Sequence, residues 1–266
     1  MDLRLTGGRY AIVGGTAGIG FATARILAES GARVAIIGRD RERTAKKADA
    51  LAHAGGQVRG FAGDAAIVGQ AQPLLDAAVE WLGGLDGLAI TAGPMHRTGP
   101  FLDYTDTDWE DYFQSTLMVS VRSARAAIPH LQSNRGGTLV LTSAYSTRSV
   151  SPRLAPYVAM KSAIASLTKS LAMEFGADRI RVNCVAPGAV ATEALDEARS
   201  QALATYGPPA EAALNRHMKE VWKMDVALGR VGSPHELAEL YAFLLSPRAG
   251  YLTGAIINHD GGTKYF

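Results

Sequence analysis

Two kinds of stretch alternate along this chain. Short, almost wholly apolar runs at 10–13, 33–37, 57–61, 85–90, 137–142, 179–185 and 254–258 have the length and composition of buried strands. Between them lie longer helix-prone stretches, which predict helices at about 20–30, 68–81, 107–131, 156–175 and 234–245. The punctuation agrees. Gly31 ends the first helix, while Thr107-Asp108-Trp109-Glu110 and Ser233-Pro234-His235-Glu236 read as capping boxes that open two later ones. Strands alternating with helices predict a doubly wound α/β fold, a parallel sheet of about seven strands with helices on both faces. No repeat, low-complexity tract or linker interrupts the alternation, so 1–266 is read as a single domain. The segment 193–228 stands apart, being polar, helix-prone and broken at Gly207-Pro208-Pro209.

Sheets of this kind bind ligands beyond the carboxyl ends of their strands. Past the first strand comes Gly14-Gly15-Thr16-Ala17-Gly18-Ile19-Gly20, which leads into a helix and then a second strand. Such glycines let the backbone turn sharply and approach a pyrophosphate, and the helix N-terminus offers free N–H groups and a partial positive charge. The setting makes this a Rossmann-type dinucleotide unit rather than a mere tight turn.

The second strand ends at Ile37-Gly38-Arg39-Asp40. A carboxylate here usually accepts from the adenosine ribose hydroxyls of NAD. Glycine stands at 38 instead, and Arg39 can grip a 2′-phosphate through two donors, which favours NADP(H) over NAD(H). The alternative is that Arg39 opens a solvated basic helix with Asp40 as its N-cap, since Arg41, Arg43, Lys46 and Lys47 follow. Asp64, past the third strand, can reach an adenine amino group or cap the next helix. Thr91-Ala92-Gly93 ends the fourth strand with small residues that let a flat cofactor pass, Ser143 ends the fifth, and Pro187-Gly188 follows the sixth.

Pro156 suits the first turn of a helix, and Tyr157 and Lys161, four apart, then face the same side. A phenol titrates near about 10 in isolation, and a fixed ammonium beside it lowers that value, giving a general acid/base. The spacing alone reads rather as a core tyrosine beside a solvated lysine; the rest of the chain supplies the context.

Composition narrows the partners. Lys plus Arg is 27 and Asp plus Glu 25, a net +2, too balanced for nucleic acid or an anionic membrane as the main partner. No apolar run reaches the roughly 18 residues of a membrane span, and the first residues lack a signal peptide's apolar segment. Cys184, the single cysteine, lies in a strand-like run and reads as a buried packing residue. A cytoplasmic location is expected, and no metal site.

The glycines at 14, 18 and 20, Asp64, Ala92-Gly93, Tyr157 with Lys161, and Pro187-Gly188 with Thr192 stand in the order and spacing of the short-chain dehydrogenases/reductases. The ending Leu252-Thr253-Gly254 through Asp260-Gly261-Gly262 is also similar. The chain resembles that family from Gly8 to Gly262, and most of all its 3-oxoacyl-carrier-protein-reductase-like branch. The resemblance implies an oxidoreductase that moves hydride between a nicotinamide and a small carbonyl or secondary alcohol, or an acyl thioester. It implies that Tyr157 exchanges the proton, that Lys161 binds the nicotinamide ribose and holds down the Tyr157 pKa, and that a serine hydrogen-bonds the carbonyl oxygen. The cofactor site it implies runs from Gly14, Thr16, Gly18, Ile19 and Gly20 through Asp64, Ala65, Ala92 and Gly93 to Pro187, Gly188, Val190 and Thr192. Thr192 and the backbone near Val190 would hold the carboxamide. It further implies a homotetramer and a substrate lid at 193–228.

The family pattern is departed from in three places. Ile90-Thr91 replaces a usual Asn-Asn, Thr116 aligns with a usual asparagine, and Ala144 stands thirteen residues before Tyr157, where the serine is usual. Ser143, one residue earlier, fills the serine role only if the strand end bulges or the loop carries an extra residue, because one step along a strand flips the side chain. Ser143 is taken as the catalytic serine, with Ser146 as the substitute. In the lid, Arg216, Lys219 and Lys223 share a predicted helix face that either meets an acidic carrier or a coenzyme A phosphate or is simply solvated, and Trp222 and Met224 either touch an apolar substrate or pack inward. A rival reading is a nucleotide-binding sensor or scaffold that has lost its chemistry.

Overall fold

The computed structural model describes residues 2–150 and 153–265. Its strands are β1 (Arg9–Val13), β2 (Arg33–Gly38), β3 (Gln57–Ala62), β4 (Gly87–Ile90), β5 (Gly137–Thr142), β6 (Ile180–Pro187), β7 (Met224–Val226), β8 (Ile256–His259) and β9 (Thr263–Tyr265). Seven form one parallel sheet in the order β3-β2-β1-β4-β5-β6-β8. Side chains alternate across it. Ala11, Val13, Ala35 and Ile37 enter the core on one face, and Tyr10, Ile12, Val34 and Ile36 the core on the other.

The helices are α1 (Gly18–Glu29), α2 (Arg41–His53), α3 (Ala71–Leu82), α4 (Asp106–Tyr112), α5 (Val119–Ser133), α6 (Ala155–Glu174), α7 (Asp196–Tyr206), α8 (Ala210–Glu220) and α9 (Pro234–Leu245). One face of the sheet receives Leu75 of α3, Leu131 of α5 and Ile164 of α6; the other receives Leu27 of α1, Leu51 of α2 and Leu237 of α9. Each such side chain contributes about 1.5–3 kcal/mol on burial. Packing on both faces is therefore the main reason the strands can be apolar throughout. Cys184 is fully buried in β6, where burial pushes its thiol up to about 11.

Some expectations shift. The box that opens α4 is Thr105 with Asp108, not Thr107 with Glu110: Asp108 N donates to the Thr105 hydroxyl at 3.2 Å, and Thr105 N to the Asp108 carboxylate at 2.8 Å. Both tetrapeptides fit the template, and Arg97 also holds Asp108, at 3.3 Å. The expected 107–131 helix is interrupted by a π-helical turn, Phe113–Met118, which contains Thr116. The Ser233–Glu236 box forms as expected, with Pro234 in the first turn.

In 193–228, α7 and α8 pack Ala202, Leu214, Met218 and Met224 into a small core of their own. β7 then pairs antiparallel with β9, so the C-terminal strand ties down this segment. Three-residue strands carry too little periodicity to be read from sequence. α8 ends at Glu220, so the expected stripe is not one helix face. Arg216 pairs with Glu220 at 2.7 Å, Lys219 lies 3.8 Å from Asp225, and Lys223 sits beyond the helix at φ +53°. Among the described residues, no helix is long and apolar enough to cross a membrane.

Candidate active site

β1 lies between β2 and β4, so the strand order reverses at β1 and a crevice opens beyond the carboxyl ends of β1 and β4. There a cleft of about 1110 Å³ borders every residue expected at the cofactor and catalytic sites.

At its floor is the glycine turn. Gly14 has φ +89°, and a Cβ there would meet Ala92 N and Thr91 Oγ1 at 2.8 Å. The Thr91 hydroxyl can donate to the carbonyl of Val13 (3.2 Å) or of Gly14 (3.3 Å), tying the turn to the end of β4. Gly18 has φ +48°, and a Cβ would lie 2.9 Å from Thr192 Cγ2. A Cβ at Gly20 would overlap the Gly14 carbonyl. The N-cap of α1, Ala17, supplies no side-chain cap, and the first turn holds no acid. Its N–H groups thus lack a side-chain acceptor, and with the bare glycine backbone they fit a pyrophosphate.

At the adenosine end, a Cβ on buried Gly38 would strike the Thr16 side chain and stand 2.7 Å from Thr44 Oγ1, so a carboxylate has no room there. Arg39 and Arg43 border the cleft. Asp40 is the N-cap of α2, accepting from Arg43 N at 2.7 Å. The capping reading of Asp40 therefore holds, and Arg39 stands at the cleft. Asp64 does not cap α3, because that helix begins only at Ala71; its carboxylate accepts from Ala66 N at 2.9 Å, beside buried Ala65.

The other end is built by α6. Tyr157 is half-buried, and Lys161, only 2% exposed, lies with Nζ 5.5 Å from the centroid of its ring. Nζ donates to the Thr142 carbonyl at 3.1 Å. Burial lowers the Lys161 pKa to about 8, so the ammonium persists at neutral pH but is poorly solvated. A Cβ on Gly93 (φ +129°) would lie 3.0 Å from Nζ and 3.4 Å from Thr116 Cγ2. Thr116 is buried, and its hydroxyl has no hydrogen-bond partner among the described residues.

The β5–β6 ladder continues without a bulge: Thr142 pairs with Val185, and Ser143 N donates to the Val185 carbonyl at 2.8 Å. The Ser143 hydroxyl accordingly donates to the Lys161 carbonyl at 2.8 Å. The bulge that would re-aim it is not there. Ala144, Tyr145 and Ser146 follow along the cleft, the last two opening a 3-10 turn, Tyr145–Thr147. Ser146 is 1% exposed, and its hydroxyl has no partner among the described residues.

Beyond β6, a Cβ on Gly188 would meet Asp260 Cα at 2.6 Å, and Val190 is buried and bridges to Gly232. Leu195, Val221, Trp222, Lys223 and Met224 form the wall contributed by 193–228, and the Tyr145 hydroxyl donates to Met224 Sδ at 2.6 Å. Met224 thus packs inward and borders the cleft at once. Sequence reasoning missed Arg43 and Arg153, which also border it; both lie in polar stretches with no periodic signal.

Residues 14–264 match a family model described as enoyl-(acyl carrier protein) reductase. Dehydrogenase/reductase SDR family member 4 of Homo sapiens is 31% identical over 255 residues, covering 95% of this chain and 86% of that protein. The 3-oxoacyl-(acyl-carrier-protein) reductase of Chlamydia pneumoniae is 28% identical over 265 residues, covering 100% of both. L-Sorbose reductase from Gluconobacter frateurii, solved with NADPH and L-sorbose, superposes with a TM-score of 0.86 at 30% identity, covering 98% of each chain.

Proposed function

The chain belongs to the short-chain dehydrogenase/reductase family, and we propose that it is an NADP(H)-dependent oxidoreductase whose Tyr157 exchanges a proton with the oxygen of a carbonyl or secondary-alcohol substrate. The observation that carries the reading is the meeting of Tyr157, the buried Lys161 and the bare glycine turn in one cleft. When bound, the nicotinamide supplies or accepts the hydride. The glycine turn and the α1 N-terminus hold the phosphates. Thr192 and the backbone at Val190 hold the carboxamide. Arg39, with Arg43 beside it, selects the 2′-phosphate; the NADPH found in the similar L-sorbose reductase supports this choice. Lys161 keeps positive charge next to the phenol, favouring the phenolate, so Tyr157 can give and retake a proton near neutral pH. Holding reactants in near-attack geometry can contribute on the order of 7–11 kcal/mol of barrier lowering.

The second donor to the substrate oxygen is Ser146, whose buried hydroxyl lacks a partner among the described residues. Ser143 acts as a positioning residue, fixing the α6 turn that carries Lys161 through its carbonyl. Ser146→Ala is then expected to lower kcat by about 100–1,000-fold, the scale of one lost donor to a developing oxyanion, and Ala144→Ser to raise it. The segment 193–228 serves as the substrate lid, and the proposal extends to a homotetramer in the cytoplasm.

The second reading, cofactor binding without turnover, is favoured by Ala144 and by the commitment of Ser143 to Lys161. A panel of ketones, 3-oxoacyl thioesters and alcohols with NADPH or NADP+, followed by dihydronicotinamide absorbance, separates the two. Turnover of any substrate supports the enzyme; tight NADPH binding with none supports the sensor.

A further inference from the structure

Lys161 is also reached from the far side of the sheet. Leu139 and Leu141 of β5 enter the core that holds Ile164 of α6, while Val140 enters the core that holds Leu237 and Tyr241 of α9. A strand's period of two puts the Thr142 side chain with Val140, on the α9 face. Its backbone carbonyl, at the carboxyl end of the strand, meets Lys161 Nζ at 3.1 Å. Thr142 thus turns its side chain to one helix layer and its carbonyl to a lysine from the other.

The Thr142 hydroxyl belongs to a buried chain. It donates to the Ile90 carbonyl at 2.6 Å and stands 2.6 Å from the Tyr241 hydroxyl. A threonine hydroxyl has one proton and a carbonyl can only accept, so Tyr241 is the donor to Thr142. Tyr241 is fully buried, and burial pushes its phenol well above the ordinary value, so this donor stays protonated. The β4–β5 register ends at Ala89 with Val140, and the Thr142–Ile90 bond ties the two strands beyond it. Three residues after Ile90 comes Gly93, where a Cβ would lie 3.0 Å from Nζ. The ammonium therefore sits in a slot whose two walls, the Thr142 carbonyl and Gly93, lead back to the residues this bond joins. Apolar side chains at 142 and 241 could fill the same space; two buried hydroxyls that satisfy each other add direction to the packing.

We propose that Thr142 and Tyr241 are positioning residues for Lys161: their hydroxyl chain, anchored on Ile90, fixes the slot from which the ammonium meets the nicotinamide ribose and Tyr157. This rests on the reading of Lys161 given above. It goes further by giving a role in the site to α9, none of whose residues borders the cleft.

The test is a double-mutant cycle on NADPH affinity, read by fluorescence titration, so that no turnover is needed. A loosened ammonium must be ordered again when it grips the ribose, which costs affinity. Tyr241→Phe, which removes one hydroxyl, is expected to weaken NADPH binding about fivefold, the scale of one neutral hydrogen bond, and Thr142→Val to do the same. Thr142→Ser, which keeps the hydroxyl, is expected to rescue what Thr142→Val loses. In a Lys161→Met background, neither Tyr241→Phe nor Thr142→Val should change the affinity by more than about 1.5-fold. Equal losses with and without Lys161 overturn the proposal, because they mark damage to the fold rather than to the ammonium. Unchanged affinity in Tyr241→Phe overturns it too. Should Thr142→Val fail to fold, with Tyr241 and Ile90 left unpaired, the Tyr241→Phe arm of the cycle decides alone. Turnover of the substrate panel tests Tyr157 separately. An intact cycle without turnover counts against that chemistry and leaves this inference standing, and turnover beside a failed cycle does the reverse.

Discussion

Replacing Lys161 with methionine tests the electrostatics of the site apart from its chemistry. The side chain is 2% exposed, and burial lowers its pKa to about 8 from the ordinary 10.5. At about 1.4 kcal/mol per pH unit, holding the charge in the folded protein costs roughly 3 kcal/mol. Methionine removes that cost and fills a similar volume, but it also removes the donor to the Thr142 carbonyl, a loss of about 1 kcal/mol. The variant should therefore gain about 2 kcal/mol near neutral pH. For a chain of this size, that raises Tm by roughly 4–8 °C. The direction with pH is fixed. The native pKa lies below the unfolded one, so the penalty on the wild type is complete below about pH 8 and disappears as pH rises to about 10.5. The variant's advantage should shrink across that window and then reverse, since the neutral amine still donates to Thr142. Calorimetry of both cofactor-free proteins across the window measures this. A difference in Tm that does not change with pH, or a variant that melts lower at neutral pH, refutes the reasoning.

Arg39→Ala should weaken NADPH binding by about tenfold or more, as loss of a charge-assisted phosphate contact does, with NADH binding nearly unchanged; equal loss for both cofactors removes the 2′-phosphate role. Gly93→Ala places a Cβ 3.0 Å from Lys161 Nζ at φ +129°, and should cost on the order of 1–3 kcal/mol in stability together with a fall in kcat; a fully stable, fully active variant contradicts the described approach of Nζ to β4. Gly18→Val sets side-chain bulk 2.9 Å from Thr192 Cγ2 and should weaken both cofactors alike by fluorescence titration. Cys184, buried with its thiol pushed up to about 11, should react with a maleimide only after unfolding.

The strands were legible because a sheet covered on both faces demands continuous apolar runs, and because Gly14, Gly31 and Pro234 stand where the backbone turns or a helix begins. The strand-end rule gathers Gly14, Arg39, Thr91, Ser143 and Pro187 along one edge of the sheet, and all five border the cleft. What escaped is what depends on contact. Thr105–Asp108 and Thr107–Glu110 fit one template, and only the fold chooses. β7 and β9 are too short to leave a pattern. The alternation rule warned that Ser143 and Ala144 point oppositely; that the ladder stays regular and sends the Ser143 hydroxyl to Lys161 needed the register of β5 on β6. Lys161 looks like any lysine on a helix, and the groups that meet its Nζ, Gly93 and the Thr142 carbonyl, lie elsewhere in the chain. The reason for glycine at 38 is likewise remote, since Thr16 fills the space a side chain would take.

Tyr157→Phe keeps the ring and removes only the hydroxyl. With the best substrate from the panel, its single-turnover rate on preloaded cofactor is expected to fall by about 100-fold or more, the scale of a lost general acid/base, while NADPH affinity stays within about threefold of the wild type. A rate that survives the substitution, or a loss explained wholly by weaker cofactor binding, would contradict Tyr157 as the proton donor.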